Sequence, residues 1–148
     1  MEIKDVIGPE QVEVGLRVSD KAQLLRELSR RAAATVSIDQ SVIHDALLAR
    51  EILGSTGLGR GFALPHARLD ALPRAFALFV RLARPIEFDA IDGQPVDLII
   101  LLLTPANAGS QHLATLAALS RPLRGADFVQ RLRRARDSEA VYKLLANP

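Results

Sequence analysis

Residues 54–69 read GSTGLGRGFALPHARL, and the first half of this stretch is unusually rich in glycine. Four glycines fall within eight positions: Gly54, Gly57, Gly59 and Gly61. That density excludes a helix and predicts a loop with unusual backbone angles. Residues 62–64 then predict a short buried strand that ends at Pro65, so His66 is placed at the end of a strand. Side chains that a rigid sheet holds at such positions are often functional.

The residues before this loop predict one strand and two helices. Residues 12–18 alternate apolar and polar side chains, which is the period of a half-buried strand. Asp20 is a candidate N-cap for a helix of about fifteen residues, and Asp39 is a candidate N-cap for a second helix. The second helix is expected to turn five apolar side chains inward: Val42, Ile43, Ala46, Leu47 and Leu53.

The residues after the loop predict two more strands and a helical end. The strands cover residues 75–82 and 96–103, and the second is apolar on both faces, which is typical of a central strand covered on both sides. Helices are predicted over residues 110–123, 126–135 and 137–145. Ser110 and Asp137 are candidate N-caps. Because strands and helices are interspersed, we expect an α/β fold, a single three-layer α/β/α domain with a mixed β-sheet.

Composition limits the classes of protein that remain. The length suits one domain over residues 1–148, and 49% of the chain is hydrophobic, enough to fill a core. The absence of cysteine excludes disulfides, zinc–thiolate sites, iron–sulfur clusters and thiol nucleophiles. The first residues mix charged and apolar side chains, and no apolar run is long enough for a membrane helix. We therefore expect a cytoplasmic protein with no signal peptide and no direct membrane insertion.

The charge pattern argues against nucleic acid as a partner. Nineteen basic and seventeen acidic residues leave a net charge of +2, and only 4% of the chain is aromatic. A nucleic-acid binder is expected to show a basic stripe with interleaved aromatic residues. One basic cluster falls on a predicted helix: Arg131, Arg133, Arg134 and Arg136. It forms either a solvated helical face or a docking surface for an acidic partner.

Three histidines and one arginine are the candidates for chemistry. His44 lies in mid-helix with no visible partner. The position of His66 alone allows a functional or a structural role. His112 falls in the first turn of a helix, where the dipole disfavours imidazolium and free N–H groups attract anions, although its position alone favours a structural role. Arg50 shares the inward face of the second helix just before the glycine loop, so it either binds an anion or extends along the surface.

Other common sites are not supported. The spacing of Gly57, Gly59 and Gly61 is GxGxG, no Lys-Ser or Lys-Thr follows, and the loop leads from a helix into a strand, the reverse of the dinucleotide-binding order. The chain lacks the GxSxG elbow of serine hydrolases. Three carboxylates without calcium-loop spacing are interpreted as turn formers: Asp89, Asp92 and Asp97.

Residues 54–69 closely resemble the active-site signature of the enzyme IIA domains of the fructose/mannitol class of bacterial phosphotransferase systems. The resemblance continues through PIEFDAIDGQPVDLIILLLTP at residues 85–105 and through His112, Leu113 and Leu116. It covers essentially the whole chain and is greatest for the nitrogen-regulatory members of the class. Two positions depart from the pattern. Ala67 stands where family members often have glycine, and Ala114 where nitrogen-type members often have a second histidine.

The resemblance implies a function and a set of site residues. It implies that His66 is phosphorylated, that His112 is the second histidine of the family, and that Arg50 is its phosphate-side arginine. The loop at Gly57 and Gly59 would let backbone N–H groups approach the phosphate. The implied donor is an HPr-like phosphocarrier protein, with no cofactor, metal or nucleotide. The implied role is regulatory signalling to target proteins. The alternative is a sugar-specific IIA that passes phosphate to a IIB domain.

Overall fold

The computed structural model describes all 148 residues and contains six strands and five α-helices. The strands are β1 Val12–Leu16, β2 Gly57–Gly59, β3 Phe62–Ala63, β4 His66–Leu69, β5 Phe76–Ile86 and β6 Val96–Pro105. The helices are α1 Lys21–Val36, α2 Gln40–Leu53, α3 Ser110–Ser120, α4 Ala126–Arg134 and α5 Ser138–Ala146. Short 3₁₀ helices lie at Ile3–Asp5, Pro9–Gln11 and Arg121–Arg124. None of the helices has the length and hydropathy needed to cross a membrane.

The six strands form one mixed sheet around β6. The strand order is β1–β5–β6–β3–β2, and β4 pairs with β6 farther along the edge that β3 occupies. Strand β5 runs antiparallel to β6, whereas β3 and β4 run parallel to it. Residues 98–103 of β6 have no solvent exposure. The prediction of a central strand covered on both sides is therefore confirmed.

A layer of helices covers each face of the sheet. Successive side chains of β6 point to opposite faces, and they enter two separate hydrophobic clusters. One cluster joins Ile99 to Leu28 of α1 and Leu47 of α2. The other joins Ile100 to the C-terminal helices, for example through Leu132 of α4. The predicted three-layer α/β/α architecture with a mixed sheet is confirmed.

Strand β4 is absent from the sequence prediction, and its presence changes the position of His66. The chain leaves β3 after Ala63, passes Pro65 and enters the sheet again at His66, which pairs with Leu102 of β6. The histidine therefore begins a strand instead of following the last one. With only four residues and two polar side chains, β4 has too little apolar pattern to identify it. Its pairing with β6 decides its conformation.

Helix α2 buries a narrower face than its sequence pattern indicates. Ile43 and Leu47 are fully buried as predicted, but Val42 is 50% exposed and Leu53 is 83% exposed. Only positions one turn apart reach the sheet, because α1 covers one flank of this helix and the open edge of β4 lies beside the other. Leu53 is therefore available at the surface, close to the end of the helix that leads into the glycine loop.

The predicted helix caps have different outcomes. Asp20 and Asp137 cap α1 and α5 as predicted, and each side chain accepts a hydrogen bond from the backbone N–H three residues ahead. Asp39 occupies the N-cap position of α2 without making such a bond. The N-cap of α3 is Gly109, which has a φ of +59°, so the prediction of Ser110 as the cap is wrong by one residue. His112 nevertheless lies in the first turn of α3, as expected.

Candidate functional site

Strand β4 presents His66 and Arg68 on the same face of the sheet, because alternate residues of a strand point the same way. The parallel register pairs His66 with Leu102 and Arg68 with Thr104 on β6. Leu102 belongs to the hydrophobic cluster under the C-terminal helices, so His66 and Arg68 face that layer too. Strand β4 pairs only with β6, which leaves its other edge open toward α2.

The ring of His66 is fixed by a backbone carbonyl. Its Nδ1 lies 2.8 Å from the carbonyl oxygen of Leu64. A carbonyl can only accept, so Nδ1 carries the proton and donates, and Nε2 keeps its lone pair. Burial lowers the pKa of His66 below its usual range. The bond to Leu64 opposes this shift, and the charge of Arg50 adds to it. The result is a neutral imidazole whose Nε2 can act as a nucleophile.

His112 lies over His66 from the first turn of α3. The two ring centroids are 5.5 Å apart, and the planes are tilted by 51°. His112 is buried, and its Nδ1 lies 2.6 Å from the hydroxyl oxygen of Thr104. Burial lowers the pKa of His112, and the charges of Arg68 and His66 lower it further. His112 is therefore also neutral, and it brings a second imidazole ring close to His66.

Arg50 is positioned by the last turn of α2. Its Nη1 donates a hydrogen bond of 2.8 Å to the carbonyl oxygen of Gly54, the first residue of the glycine loop. Arg50 makes no ion pair with any carboxylate. Arg50 as a residue is half-buried, and its guanidinium keeps most of its five donors free for another ligand. Arg50 therefore lies beside the glycine loop, and its role in binding phosphate stays a prediction.

Arg68 is a second cation at the same place, and sequence reasoning missed it. It is exposed, and its side chain makes neither an ion pair nor a hydrogen bond with another residue. A depression of about 440 Å³, the His66 cavity, brings together residues from α2, β4 and α3: Ala46, Ala49, Arg50, Leu53, His66, Ala67, Arg68 and His112. No acidic side chain lines it. Arg68 lies two residues after His66, so a prediction of β4 would have placed both side chains on the same face.

A buried carboxylate anchors the start of the glycine loop. Glu51, which is 8% exposed, accepts hydrogen bonds from the backbone N–H of Thr56 at 3.1 Å and from the Thr56 hydroxyl. Its other partner is Lys21 of α1, at 3.0 Å. Lys21 also lies 4.4 Å from the ring centroid of Phe88. Glu51 therefore joins α1, α2 and the loop, although its neighbour Arg50 is the residue that lines the cavity.

The structure places Gly57 and Gly59 away from the histidines. Both lie in β2, against the connection between β5 and β6, and neither lines the His66 cavity. A Cβ atom on Gly57 would lie 2.8 Å from the Cα of Ala90, and Gly59 has a φ of +101° beside Asp92. Close packing and backbone angle account for these glycines. Their contribution to phosphate binding stays a prediction.

The loop carboxylates have separate tasks. Asp92 is a turn former as predicted, because it accepts hydrogen bonds from the backbone N–H groups of Arg60 and Gln94. Asp97 is not a turn residue. It lies in β6 and forms an ion pair with Arg133, at 2.8 Å. No group of three or more histidine, cysteine, aspartate or glutamate side chains is arranged to hold a metal ion.

The His66 cavity combines a neutral nucleophile with two cations that have no counter-ion. These side chains suit a phosphoryl group. Its oxygens accept hydrogen bonds from guanidinium groups, and its phosphorus is open to attack by an imidazole nitrogen. The open side of the cavity suits a phosphate carried by a large partner. The exposed side chain of Leu53 lies at its rim.

Comparison with known proteins supports the same chemistry. Residues 5–147 match the family model described as phosphoenolpyruvate-dependent sugar phosphotransferase system, EIIA 2. A nitrogen regulatory protein of Bradyrhizobium diazoefficiens is 45% identical over 148 residues, which cover 100% of this chain and 97% of that protein. A fructose-specific EIIA component of Haloferax volcanii is 41% identical over 108 residues, which cover 73% of this chain and 70% of that protein.

A solved structure agrees over nearly the same length. The crystal structure of nitrogen regulatory protein IIA-Ntr from Neisseria meningitidis superposes with a TM-score of 0.92 at 34% identity, and the match covers 97% of this chain and 98% of that one. The family match spans all the residues of the His66 cavity. This chain belongs to the EIIA 2 family of the phosphoenolpyruvate-dependent sugar phosphotransferase system.

Proposed function

We propose that the protein is a phosphohistidine carrier of a phosphotransferase system, and that Nε2 of His66 is the atom that accepts the phosphoryl group. The observation that carries this proposal is the bond from Nδ1 of His66 to the Leu64 carbonyl, which leaves Nε2 unprotonated toward a cavity with two unpaired arginines. His112 and His44 do not combine these features. His112 is buried with Nδ1 at Thr104, and His44 lies on α2 outside the cavity.

The transfer reaction balances without a metal or a cofactor. Nε2 of His66 attacks the phosphorus of a donor phosphohistidine, the P–N bond of the donor breaks, and a P–N bond to Nε2 forms. The proton stays on Nδ1, which donates to the Leu64 carbonyl throughout. Positioning and charge stabilisation dominate such transfers. Arg50 and Arg68 stabilise the equatorial phosphoryl oxygens, and His112 contributes a ring N–H.

The proposed donor is an HPr-like phosphocarrier protein, itself charged from phosphoenolpyruvate through enzyme I. The surface at and beside the His66 cavity suits a protein donor because it exposes large apolar side chains. Leu53, which lines the cavity, is 83% exposed. Ile52 and Leu113, the sequence neighbours of Leu53 and His112, are 76% and 65% exposed. The buried centre of a protein interface is more apolar than the rest of the protein surface, so exposed side chains of this kind fit a protein partner. A free small molecule would leave these apolar side chains uncovered.

A regulatory role is the better supported of two candidates. The nitrogen regulatory relative matches at 45% over the whole chain. We therefore propose that the chain acts as one domain over residues 1–148 and that its phosphorylation state controls binding to target proteins. The second candidate is a sugar-specific IIA that passes the phosphoryl group to a IIB domain. It rests on the fructose-specific relative, which matches at 41% over a shorter stretch.

The test of the acceptor is a phosphorylation assay with phosphoenolpyruvate, enzyme I and the HPr-like carrier. The protein is expected to take up one acid-labile, base-stable phosphate, and His66→Ala is expected to take up none. His44→Ala is the matched control, because His44 is also half-buried but lies outside the cavity, and it should behave as wild type. Full labelling of His66→Ala would refute the proposal.

The two candidate roles are separated by a second assay. Phosphorylated protein is mixed with a fructose- or mannitol-type IIB domain, and the label on each protein is followed. Transfer to IIB at rates comparable with uptake from the carrier would favour the sugar-specific role. In the regulatory role we expect little transfer. Instead, a pull-down with phosphorylated wild type should retain different proteins from a pull-down with His66→Ala, which cannot be phosphorylated.

A further inference from the structure

Nδ1 of His112 lies beside Thr104, a residue to which the proposed transfer has so far assigned no role. Thr104 lies near the end of β6, is 1% exposed, and places its hydroxyl oxygen 2.6 Å from Nδ1 of His112. No other residue makes a hydrogen bond with this hydroxyl. Thr104 also lies directly beside Arg68 in the sheet register, on the face that carries His66.

The direction of this hydrogen bond follows from burial. A hydroxyl has one proton to donate, and leaving a buried donor without an acceptor costs stability. If Nδ1 of His112 carried a proton, the Thr104 oxygen would accept and its own proton would have no acceptor. If Nδ1 is unprotonated, the hydroxyl donates to it and both groups are satisfied. The second arrangement puts the single ring proton of a neutral His112 on Nε2.

We propose that Thr104 is a positioning residue that holds His112 in the Nε2–H tautomer, so that His112 donates a hydrogen bond to the incoming phosphoryl group. The inference rests on the proposed phosphoryl transfer to His66 and deepens it. A neutral imidazole in the opposite tautomer would present a lone pair to the phosphoryl oxygens and repel them. The hydroxyl of Thr104 removes that tautomer without placing a charge in the cavity.

The two histidines thereby receive opposite tasks from opposite partners. The carbonyl of Leu64 accepts from Nδ1 of His66 and makes its Nε2 a nucleophile. The hydroxyl of Thr104 donates to Nδ1 of His112 and makes its Nε2 a donor. With ring centroids 5.5 Å apart, two neutral histidines can then act on one phosphoryl group, one at phosphorus and one at an oxygen.

The first measurement reads the tautomers directly and needs no phosphate. Long-range proton–nitrogen NMR spectra of protein labelled with ¹⁵N-histidine, at mildly alkaline pH, distinguish Nδ1–H from Nε2–H for each ring. We expect Nδ1–H for His66 and Nε2–H for His112 in the wild type. Thr104→Val, which keeps the shape but removes the hydroxyl, should give His112 a mixture of tautomers. Thr104→Ser should restore the wild-type spectrum.

A matched control separates this effect from a general effect of buried hydroxyls. Thr115 of α3 is also 1% exposed and lies three residues from His112, but its hydroxyl contacts the carbonyl of Gln111 and the sulfur of Met1 and no histidine. Thr115→Val should therefore leave the tautomer of His112 unchanged. If Thr104→Val does not fold, Thr104→Ala provides a second variant without the hydroxyl. An Nδ1–H signal for His112 in the wild type, or an unchanged tautomer in the hydroxyl-free variant, overturns the proposal.

The second measurement connects the tautomer to the reaction. Phosphorylation of His66 is followed with the charged carrier and, separately, with phosphoramidate, in which the P–N bond breaks, Nε2 takes the phosphoryl group and ammonia leaves. Thr104→Val should slow both reactions by about twofold to tenfold, the worth of one hydrogen bond, with Thr104→Ser and Thr115→Val near wild type. A shifted tautomer with wild-type rates would overturn the positioning role. Failure of wild-type His66 to accept phosphate from either donor would overturn the proposed function, while the spectra still decide the tautomer.

Discussion

Two regions of the molecule concentrate arginine, and they use it differently. In the His66 cavity, Arg50 makes one hydrogen bond to a carbonyl and Arg68 makes none. The second region, the Asp97–Arg133 corner, consists of Arg60, Arg81, Asp97 and Arg133. There Arg133 makes bonds of 2.8–3.1 Å to the carboxylate of Asp97 and one of 2.7 Å to the carbonyl of Arg60. The corner pairs Arg133 with a carboxylate, whereas neither arginine of the cavity has a carboxylate partner.

The corner shows what arginine does when it is structural. Nη1 of Arg81 lies within 3.2 Å of three carbonyl oxygens at the end of α4, those of Leu132, Arg133 and Ala135. The last carbonyls of a helix lack intrahelical donors and carry partial negative charge, so a cation there stabilises the helix end. The same region borders a depression of about 940 Å³, larger than the 440 Å³ of the His66 cavity. Cavity size therefore does not distinguish the candidate site, which differs in placing two arginines without a carboxylate partner beside a pair of histidines.

The largest expected effect is on transfer, at Arg50. Arg50→Ala should slow phosphorylation of His66 by about a thousandfold, comparable with the loss of an arginine that stabilises transferring phosphate. Arg50→Lys keeps the charge but loses the planar fork, so we expect a smaller loss of about tenfold. Melting temperatures should stay close to wild type, because the guanidinium has no carboxylate partner to lose.

Two results would contradict this prediction. Arg50→Lys with a wild-type rate would remove Arg50 from the phosphoryl site and leave it as a residue that only holds Gly54. A strongly lowered melting temperature would make it structural, like the arginines of the Asp97–Arg133 corner. Rate and melting temperature measured on the same preparation distinguish the two.

His112 is expected to have the next largest effect. Loss of one donor to a developing oxyanion costs about a hundredfold or less where the site is partly open, so His112→Ala should slow uptake and release of phosphate by about that factor. His112→Gln keeps an N–H at a similar position and should recover part of the loss. Circular dichroism should show that both variants fold. If His112→Ala takes up and releases phosphate at the wild-type rates, the ring of His112 contributes only to packing.

Long apolar patterns were sufficient to predict the central strand of the sheet, but not the strand that carries His66. Strand β6 is buried on both faces, and its sequence is apolar at nearly every position. Strand β4 is different, because its four residues include His66 and Arg68 and only the long-range pairing with β6 makes them a strand. Missing β4 meant missing Arg68, since the two side chains share a face only in an extended backbone.

Of the site residues, only those with a reactive or charged side chain next to a recognisable sequence feature were predictable. His66 and Arg50 flank a loop that is visible in the sequence, and the family resemblance adds His112. Thr104 gives no sequence signal, because it ends an apolar strand and looks like one more buried residue. Its importance depends on the turn into α3, which brings the His112 ring onto the hydroxyl. Glu51 is similar, because only the folded loop brings Thr56 to its carboxylate.

The Asp97–Arg133 corner should respond in the opposite way to the cavity. Arg133→Gln removes the partner of a half-buried carboxylate and should lower the free energy of unfolding by about 1–2 kcal/mol. Phosphorylation of His66 should be unchanged, because no residue of the corner lines the His66 cavity. Arg131→Gln, at an exposed position of the same helix, is the control and should alter neither quantity. Slower transfer at wild-type stability would mean that the corner contacts the carrier.

The smallest expected effect concerns pH. The attacking ring must be neutral, and burial holds the pKa of His66 below its usual 6.5. More than half of His66 is therefore still neutral at pH 6.5, so the rate should fall by less than about twofold between neutral pH and that value. The free energy of unfolding should also fall as the pH is lowered. Because the folded pKa of His66 and His112 is lowered, their contribution is present above pH 6.5 and is lost as the pH falls through the folded pKa.

NMR titration of the His66 ring separates this effect from any pH dependence of the donor. It also compares the His66 cavity with the Asp97–Arg133 corner. The charge of Arg50 lowers the pKa of His66, so Arg50→Ala should raise that pKa. Arg133→Gln should leave it unchanged, because the charge of Arg133 is already neutralised by Asp97. If the His66 ring of the wild type titrated above 6.5, the hydrogen bond to the Leu64 carbonyl would outweigh burial. The nucleophile would then be partly protonated near neutral pH, and the cavity would depend on the approaching donor to exclude water and release that proton.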